Sequence, residues 1–289
     1  MSKQPIISLR RAVRGPAGLV IPALALLLAV MVWPLMQLLY RSFMTPSFSF
    51  SLSKYQDLFT DGVSVTILVR TVVMSAIVTL VTLLLAYPYA YALTKVNHRL
   101  RAIMMALVLL PFWTSLMART FAWLVLLQDT GVINSMLGAI GIGPLALIRN
   151  TTGVTLGMTQ VLLPFMVLPL YSTMSKIDPR LMTAAVSLGA PFRVSFRRIY
   201  LPLSMPGVVA GATLVSIMSL GFYITPQILG SPQQAMISQL IATKIDRLLD
   251  FGSAGALSAA LILITLVLLA LMSRVVKPSE ALGSTGAEE

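Results

Sequence analysis

Apolar residues fall in six long runs, 18–40, 63–93, 102–127, 153–171, 203–228 and 254–272, each bounded by polar or charged residues. A helix needs roughly 20 such residues to cross the hydrocarbon of a bilayer. Each run is therefore predicted to span a membrane, and the second and fifth are long enough to tilt or to continue past the lipid. Pro22, Pro34, Pro88, Pro111, Pro164, Pro169 and Pro206 lie inside the runs. Spanning helices tolerate proline when neighbours take up the freed backbone groups, so each is a potential kink. The first run follows Arg10, Arg11 and Arg14, as a secretory leader would. It is too long for one, and Trp33-Pro34 with Tyr40 reads as a membrane exit, not a cleavage site.

Composition supports this reading. Of 289 residues 57% are hydrophobic and 10% charged, against about a quarter charged in soluble domains. Cysteine is absent and His98 is the sole histidine, so neither a disulfide framework nor a zinc site of the usual kind is available. The net charge of +12 lies beside the apolar runs, which points to lipid headgroups and not to nucleic acid. Its distribution sets direction. Lys3, Arg10, Arg11, Arg14, Lys95, Arg99, Arg101, Lys176, Arg180, Arg193, Arg197, Arg198, Arg274 and Lys277 belong to one set of segments. The alternate loops carry Arg41, Lys54, Arg149, Lys244 and Arg247, balanced by Asp57, Asp61, Asp129, Asp246 and Asp250. The positive-inside rule then puts both termini and the 176–202 loop in the cytoplasm. The expected organisation is a cytoplasmic segment 1–17, one six-span domain over 18–275 and a disordered cytoplasmic tail 276–289. No internal repeat is evident.

The segment 183–202, TAAVSLGAPFRVSFRRIYLP, is the most informative polar stretch. Asp178-Pro179 is a helix start: the carboxylate caps orphan N–H groups and proline suits the first helical position. Gly189 can take the left-handed conformation that ends this helix near Leu188, and Ala190-Pro191 opens a second. The prediction is a helix–glycine turn–helix knob on the membrane surface, rigid enough for a partner to push. Leu201-Pro202 would set the entry angle of the fifth span. Spacing alone also fits an ordinary amphipathic loop.

The gaps between Thr183, Ala184, Ala185, Gly189, Ile199, Leu201 and Pro202 resemble the coupling loop of bacterial ABC importer permeases, Glu-Ala-Ala, three residues, Gly, nine residues, Ile-x-Leu-Pro. The departure is Thr183, where the family usually has glutamate; it bears on an ion pair to the ATPase, not on the shape of the knob. Leu110-Pro111-Phe112-Trp113-Thr114 with Arg119, Leu162-Leu163-Pro164-Phe165-Met166, Pro169-Leu170-Tyr171 and LPLSMPGVVAG from Leu201 resemble the spermidine/putrescine branch. The resemblance implies an all-α integral membrane protein with the six-span type I ABC importer permease fold. It also implies two ATPase subunits, a second and different permease, an extracytoplasmic solute-binding protein and residence in the bacterial inner membrane. The chain has no Gly-x-x-x-x-Gly-Lys-Ser/Thr loop, so ATP and Mg belong to the ATPase partner and the chain is no enzyme by itself.

The candidate substrate path comprises Trp113, Arg119, Gln160, Ser219, Phe222, Tyr223 and Thr225. Helix–helix packing is the competing reading of the hydroxyls, and a membrane-interface position that of the tryptophan. Tyr87 and Tyr91 read as interface-belt residues. Arg70 and Arg119 are the charges inside spans, and each is near enough to the outer end to snorkel. No carboxylate lies in an apolar run. A polyamine would then need carboxylates of a partner permease, loop aspartates such as Asp246 or Asp250, or cation–π contacts; otherwise the cargo is a zwitterionic amino acid or an aminophosphonate. A stand-alone secondary transporter or channel is the alternative class, disfavoured by the knob and by the lack of carboxylates for ion coupling.

Overall fold

The computed structural model describes residues 20–44 and 49–280. Its helices are α1 (Val20–Ser42), α2 (Ser53–Thr60), α3 (Gly62–Lys95), α4 (His98–Leu109), α5 (Leu116–Leu127), α6 (Val132–Ala139) and α7 (Thr151–Met174). They continue as α8 (Pro179–Ser187), α9 (Phe192–Ser195), α10 (Leu201–Leu220), α11 (Ile224–Leu229), α12 (Ile237–Asp246) and α13 (Phe251–Glu280). No strand longer than the isolated bridge Met44–Phe50 occurs among the described residues. The expected segment 1–17 lies outside them. Of the expected tail 276–289, residues 276–280 continue α13 and the remainder lies outside the described residues.

Six helical stretches are long and apolar enough to cross a membrane: Pro22–Ser42, Gly62–Lys95, Leu116–Ala139, Thr151–Met174, Phe192–Leu220 and Phe251–Arg274. The number agrees with the apolar pattern, but two spans differ from expectation. The run 102–127 is not one helix. After α4 the chain tightens into a 3₁₀ turn at Leu110–Trp113, Thr114 is extended, and Ser115 caps α5 through the Ala118 N–H. Pro111 has no N–H to continue the α-helical ladder, while Leu110 before it keeps an α conformation and still bonds back to Ala106 O. The run 203–228 is also divided, because α10 ends at Leu220 and Ile228 belongs to α11. Pro226 cannot donate back to Phe222 O, and that carbonyl instead accepts the Ser238 hydroxyl at 2.6 Å.

α7 is the centre of the bundle, packed between α3 and α10. Met158, Leu162, Met166, Leu170 and Met174, four residues apart, form one fully buried stripe. Facing it, α3 buries Met74, Val78, Ala86 and Ala90. α10 approaches through glycines: a Cβ on Gly207 would lie 2.8 Å from Thr173 Cβ and 2.9 Å from Pro169 O, and one on Gly211 2.7 Å from Met166 Sδ. Small residues four apart let spanning helices touch closely where lipid supplies no hydrophobic drive to associate. A second cluster joins α2, α3, α12 and α13 through Leu58, Ile67, Ile237, Ala256 and Leu257. α1 packs on α13, where a Cβ on Gly255 would reach within 2.3 Å of Leu38 O; most of its apolar surface is exposed.

Candidate coupling knob and membrane path

The loop between α7 and α10 is built by local rules. The Asp178 carboxylate accepts the Arg180 N–H at 2.9 Å and starts α8 with Pro179 in its first turn. The helix closes when Gly189 takes φ +85°. Ala190 N–H then bonds Ala185 O at 3.0 Å and Gly189 N–H bonds Val186 O at 2.9 Å, the paired bonds of a Schellman cap. The predicted turn is therefore present. The predicted second helix is present as well, opening after Pro191, but it does not end before the fifth span. α9 runs into a π-turn at Phe196–Tyr200 and on into α10, so the knob's second arm is the leading end of the fifth span. Leu201 N–H reaches back to Phe196 O, and Pro202 has no N–H to offer, which favours the wider turn here.

Thr183 and Ala184 are exposed, Ala185 is half-buried, and Thr183 Oγ1 donates to Pro179 O at 3.4 Å. Ile199 and Leu201 are half-buried and Pro202 is exposed, all beside the π-turn and not at the tip. The tip carries apolar residues that motif spacing did not single out: Leu181, Val186, Phe192 and, 89% exposed, Leu188. Their signal was available, since large apolar residues flanking a glycine in an otherwise polar loop have no place in a solvated turn.

The joint is aromatic. Phe196 meets Tyr91 edge-on at 5.7 Å and Tyr87 at 6.3 Å, and stacks on Tyr200 at 5.3 Å. The Tyr87 hydroxyl shares a hydrogen bond with Ser204 Oγ at 2.9 Å. Tyr87 and Tyr91 are thus half-buried packing residues linking α3 to the π-turn, not belt residues on a lipid face.

The seven path candidates divide. Ser219 is fully buried and pairs with Ser75 Oγ at 2.6 Å, while Ser75 Oγ also lies 3.0 Å from Ser216 O and Thr79 pairs with Ser216 Oγ at 2.9 Å. This hydroxyl ladder joins α3 to α10. Thr225 is fully buried, 3.5 Å from Thr120 Oγ1. Phe222 is half-buried, Tyr223 41% exposed and Trp113 80% exposed at the break between α4 and α5. Arg119 and Gln160 are different. Arg119 Nε and Gln160 Oε1 are buried without a hydrogen-bond partner, as are Thr155 Oγ1 and Thr159 Oγ1. α5 and α7, which carry these four residues, pack against each other. Thr155 and Thr159 were not singled out from sequence, because threonine in a spanning helix ordinarily bonds its own backbone. Arg70 is accounted for by a bond to Pro232 O at 3.5 Å.

At the opposite end from the knob, a cavity of about 300 Å³ is lined by Lys54, Asp57, Asp61, Lys244 and Asp250. Hydrogen bonds from Ser64 and the Val63 N–H hold the Asp61 carboxyl below its ordinary range. Burial opposes ionisation of Asp250, but the bonds from Ser253 and the Lys54 ammonium, 3.7 Å away, outweigh it and lower its pKa.

A helical bundle with six potential spans and an exposed knob between the fourth and fifth defines the class as a membrane component. The chain matches the family described as "Binding-protein-dependent transport system inner membrane component" over residues 83–278, and it belongs to that family: it is a permease subunit of an ABC importer. The "Spermidine/putrescine transport system permease protein PotB" of Haemophilus influenzae is 34% identical over 225 residues, covering 76% of this chain and 78% of that protein. PotB of Escherichia coli K12 is 33% identical over 218 residues, covering 74% and 79%. The "Inner membrane ABC transporter permease protein YdcU" of E. coli K12 is 30% identical over 227 residues, covering 73% and 70%. A chain of the crystal structure of a bacterial alginate ABC transporter superposes with a TM-score of 0.71 at 18% identity, over 90% of this chain and 94% of that one, so the fold is shared. Family membership sets aside the stand-alone transporter or channel, and it implies an ATPase, a partner permease and a binding protein.

Proposed function

We propose that this chain moves a small amine-type solute from a binding protein to the cytoplasm by alternating access, driven by two ATPase subunits acting on the α8–α9 knob. The observation that carries the reading is an apolar tip exposed at Leu188 and Phe192 on an arm continuous with a central span. A push on the tip is transmitted to α10, and through the aromatic joint to α3, without breaking a helix. Thr183, Ala184, Ala185 and Gly189 form the docking face; Ile199, Leu201 and Pro202 set the joint. The charge asymmetry supports cytoplasmic termini and a cytoplasmic knob. The ATP and Mg are held by the partner.

For cargo, the names of the PotB relatives support a polyamine, with a second, different permease completing the path. In that case this chain offers the amine aromatic faces and, at the outer basin, Asp57, Asp61 and Asp250. The unpartnered Arg119 guanidinium and the lack of a carboxylate within the spans favour a second reading, a zwitterionic amino acid or aminophosphonate whose acid group pairs with Arg119. Arg119, Gln160, Thr155 and Thr159 are the strongest path residues, since their polar atoms await a partner. Uptake of labelled putrescine, spermidine, amino acids and aminophosphonates by vesicles holding the whole complex decides the cargo. Gly189→Arg is expected to abolish uptake while ATP hydrolysis persists; uptake at the wild-type rate would sink the coupling role.

A further inference from the structure

Behind the knob lies a cavity of about 130 Å³ enclosed by the end of α3, the start of α4, the end of α7 and the first turn of α8. Its charged lining is Lys95, Arg101 and Asp178. Asp178 is engaged in capping α8 through the Arg180 N–H. Arg101 is held in place by bonds from Nε to Leu93 O at 3.0 Å and from a terminal nitrogen to Val96 O at 3.1 Å, which leaves its other donors unengaged. That grip also covers the negative end of the α3 dipole, which would otherwise repel an anion. Lys95 rests over the Tyr91 ring at 5.4 Å with its ammonium exposed, and so can swing inward.

Tyr200 is the telling residue. It is 4% exposed, lines this cavity, and its hydroxyl makes no hydrogen bond. The Thr94 hydroxyl lies beside it and donates to Tyr91 O at 2.7 Å, so Thr94 offers the phenol a weak contact and no full hydrogen bond. A buried phenol without a partner is costly unless something else fills the role. Two cations, one engaged carboxylate and a weakly engaged hydroxyl donor make a site for one compact anion.

We propose that this cavity binds a phosphate group, held by Lys95, Arg101 and the Tyr200 hydroxyl. A lipid headgroup at the cytoplasmic surface and a free phosphate share that chemistry. An anion seated here ties α3 to the base of α8 and limits how far the knob can swing. That consequence rests on the transport reading; the binding itself does not.

The test is native mass spectrometry of the full chain, purified in detergent with its associated subunits, titrated with phosphatidylglycerol against a phosphatidylcholine background. In parallel, thermal unfolding is followed with inorganic phosphate against chloride at equal ionic strength. Lys95→Gln and Tyr200→Phe change no apolar packing, and Arg193→Gln, outside the cavity, controls for general charge. Phosphatidylglycerol retention weakened about tenfold in each cavity variant, but not in Arg193→Gln, supports the lipid headgroup. A phosphate-specific rise in melting temperature, lost in the same two variants, supports the free ion. No binding of either, or equal losses in Arg193→Gln, overturns the site whether or not the complex transports.

Discussion

Replacing Gly207 by alanine tests the central packing of the bundle. The new Cβ would sit 2.8 Å from both Thr173 Cβ and Thr173 Oγ1 and 2.9 Å from Pro169 O. Carbon contacts are comfortable at about 3.5–4.0 Å, so α7 and α10 must part by roughly 0.7 Å. Rotating Thr173 relieves only its hydroxyl, because its Cβ and the proline carbonyl move with the backbone. The helices cannot part cheaply, since α7 is also held against α3 along the Met158–Met174 stripe. Overpacking of this kind costs about 1–3 kcal/mol. At roughly 2–4 °C per kcal/mol for a large domain, the melting temperature should fall by about 2–12 °C. The assay is thermal unfolding of purified protein in detergent, with Gly221→Ala as control, because a Cβ at Gly221 meets nothing within 4 Å. Gly211→Ala should fall between the two: its nearest neighbour is the movable Met166 Sδ, but Met166 O stands 3.2 Å away. A Gly207→Ala melting temperature equal to that of Gly221→Ala would refute the reasoning.

Two other expectations follow from the same contacts. Asp61 has a lowered pKa in the folded chain, so its stabilising effect is complete above the ordinary value of 3.8 and is lost as pH falls through the lower folded value. Melting temperatures measured from pH 6 downward should therefore drop in wild type more than in Asp61→Asn, and parallel curves would remove Asp61 from the α3 cap. Ser75→Ala and Ser219→Ala should each destabilise by about 1 kcal/mol, with the double variant costing less than their sum, because the hydroxyls are each other's partner. Full uptake by these variants would assign Ser219 to packing, whereas altered cargo preference at wild-type stability would return it to the path.

Much of this architecture is legible in the sequence because it is local. A run of twenty apolar residues, an Asp-Pro start and a glycine stop act over a few residues; the start and the stop produced the expected elements, as did four of the six runs. The breaks at Pro111 and after Leu220 were not legible. Pro88, Pro164 and Pro169 occupy similar apolar settings and sit inside unbroken helices. What separates the cases is whether Ser115 can cap the next helix and whether Ser238 can satisfy Phe222 O, and the second of these partners is distant in sequence. The same holds for the path. Ser219 and Gln160 look alike as polar residues in spans, and only the position of Ser75 across the helix pair distinguishes an engaged hydroxyl from an idle amide.

The π-turn at Phe196–Tyr200 has a geometric consequence. Each residue of an α-helix advances the chain by about 100° around its axis. A wide turn holds one residue more than a regular helix needs, so everything before it is set in azimuth by that extra residue. Removing a single residue between Phe196 and Tyr200 would leave a plain helix with its hydrogen bonds intact. The knob would then be rotated by about 100°, its Leu188 tip aimed at a different quarter of the compass.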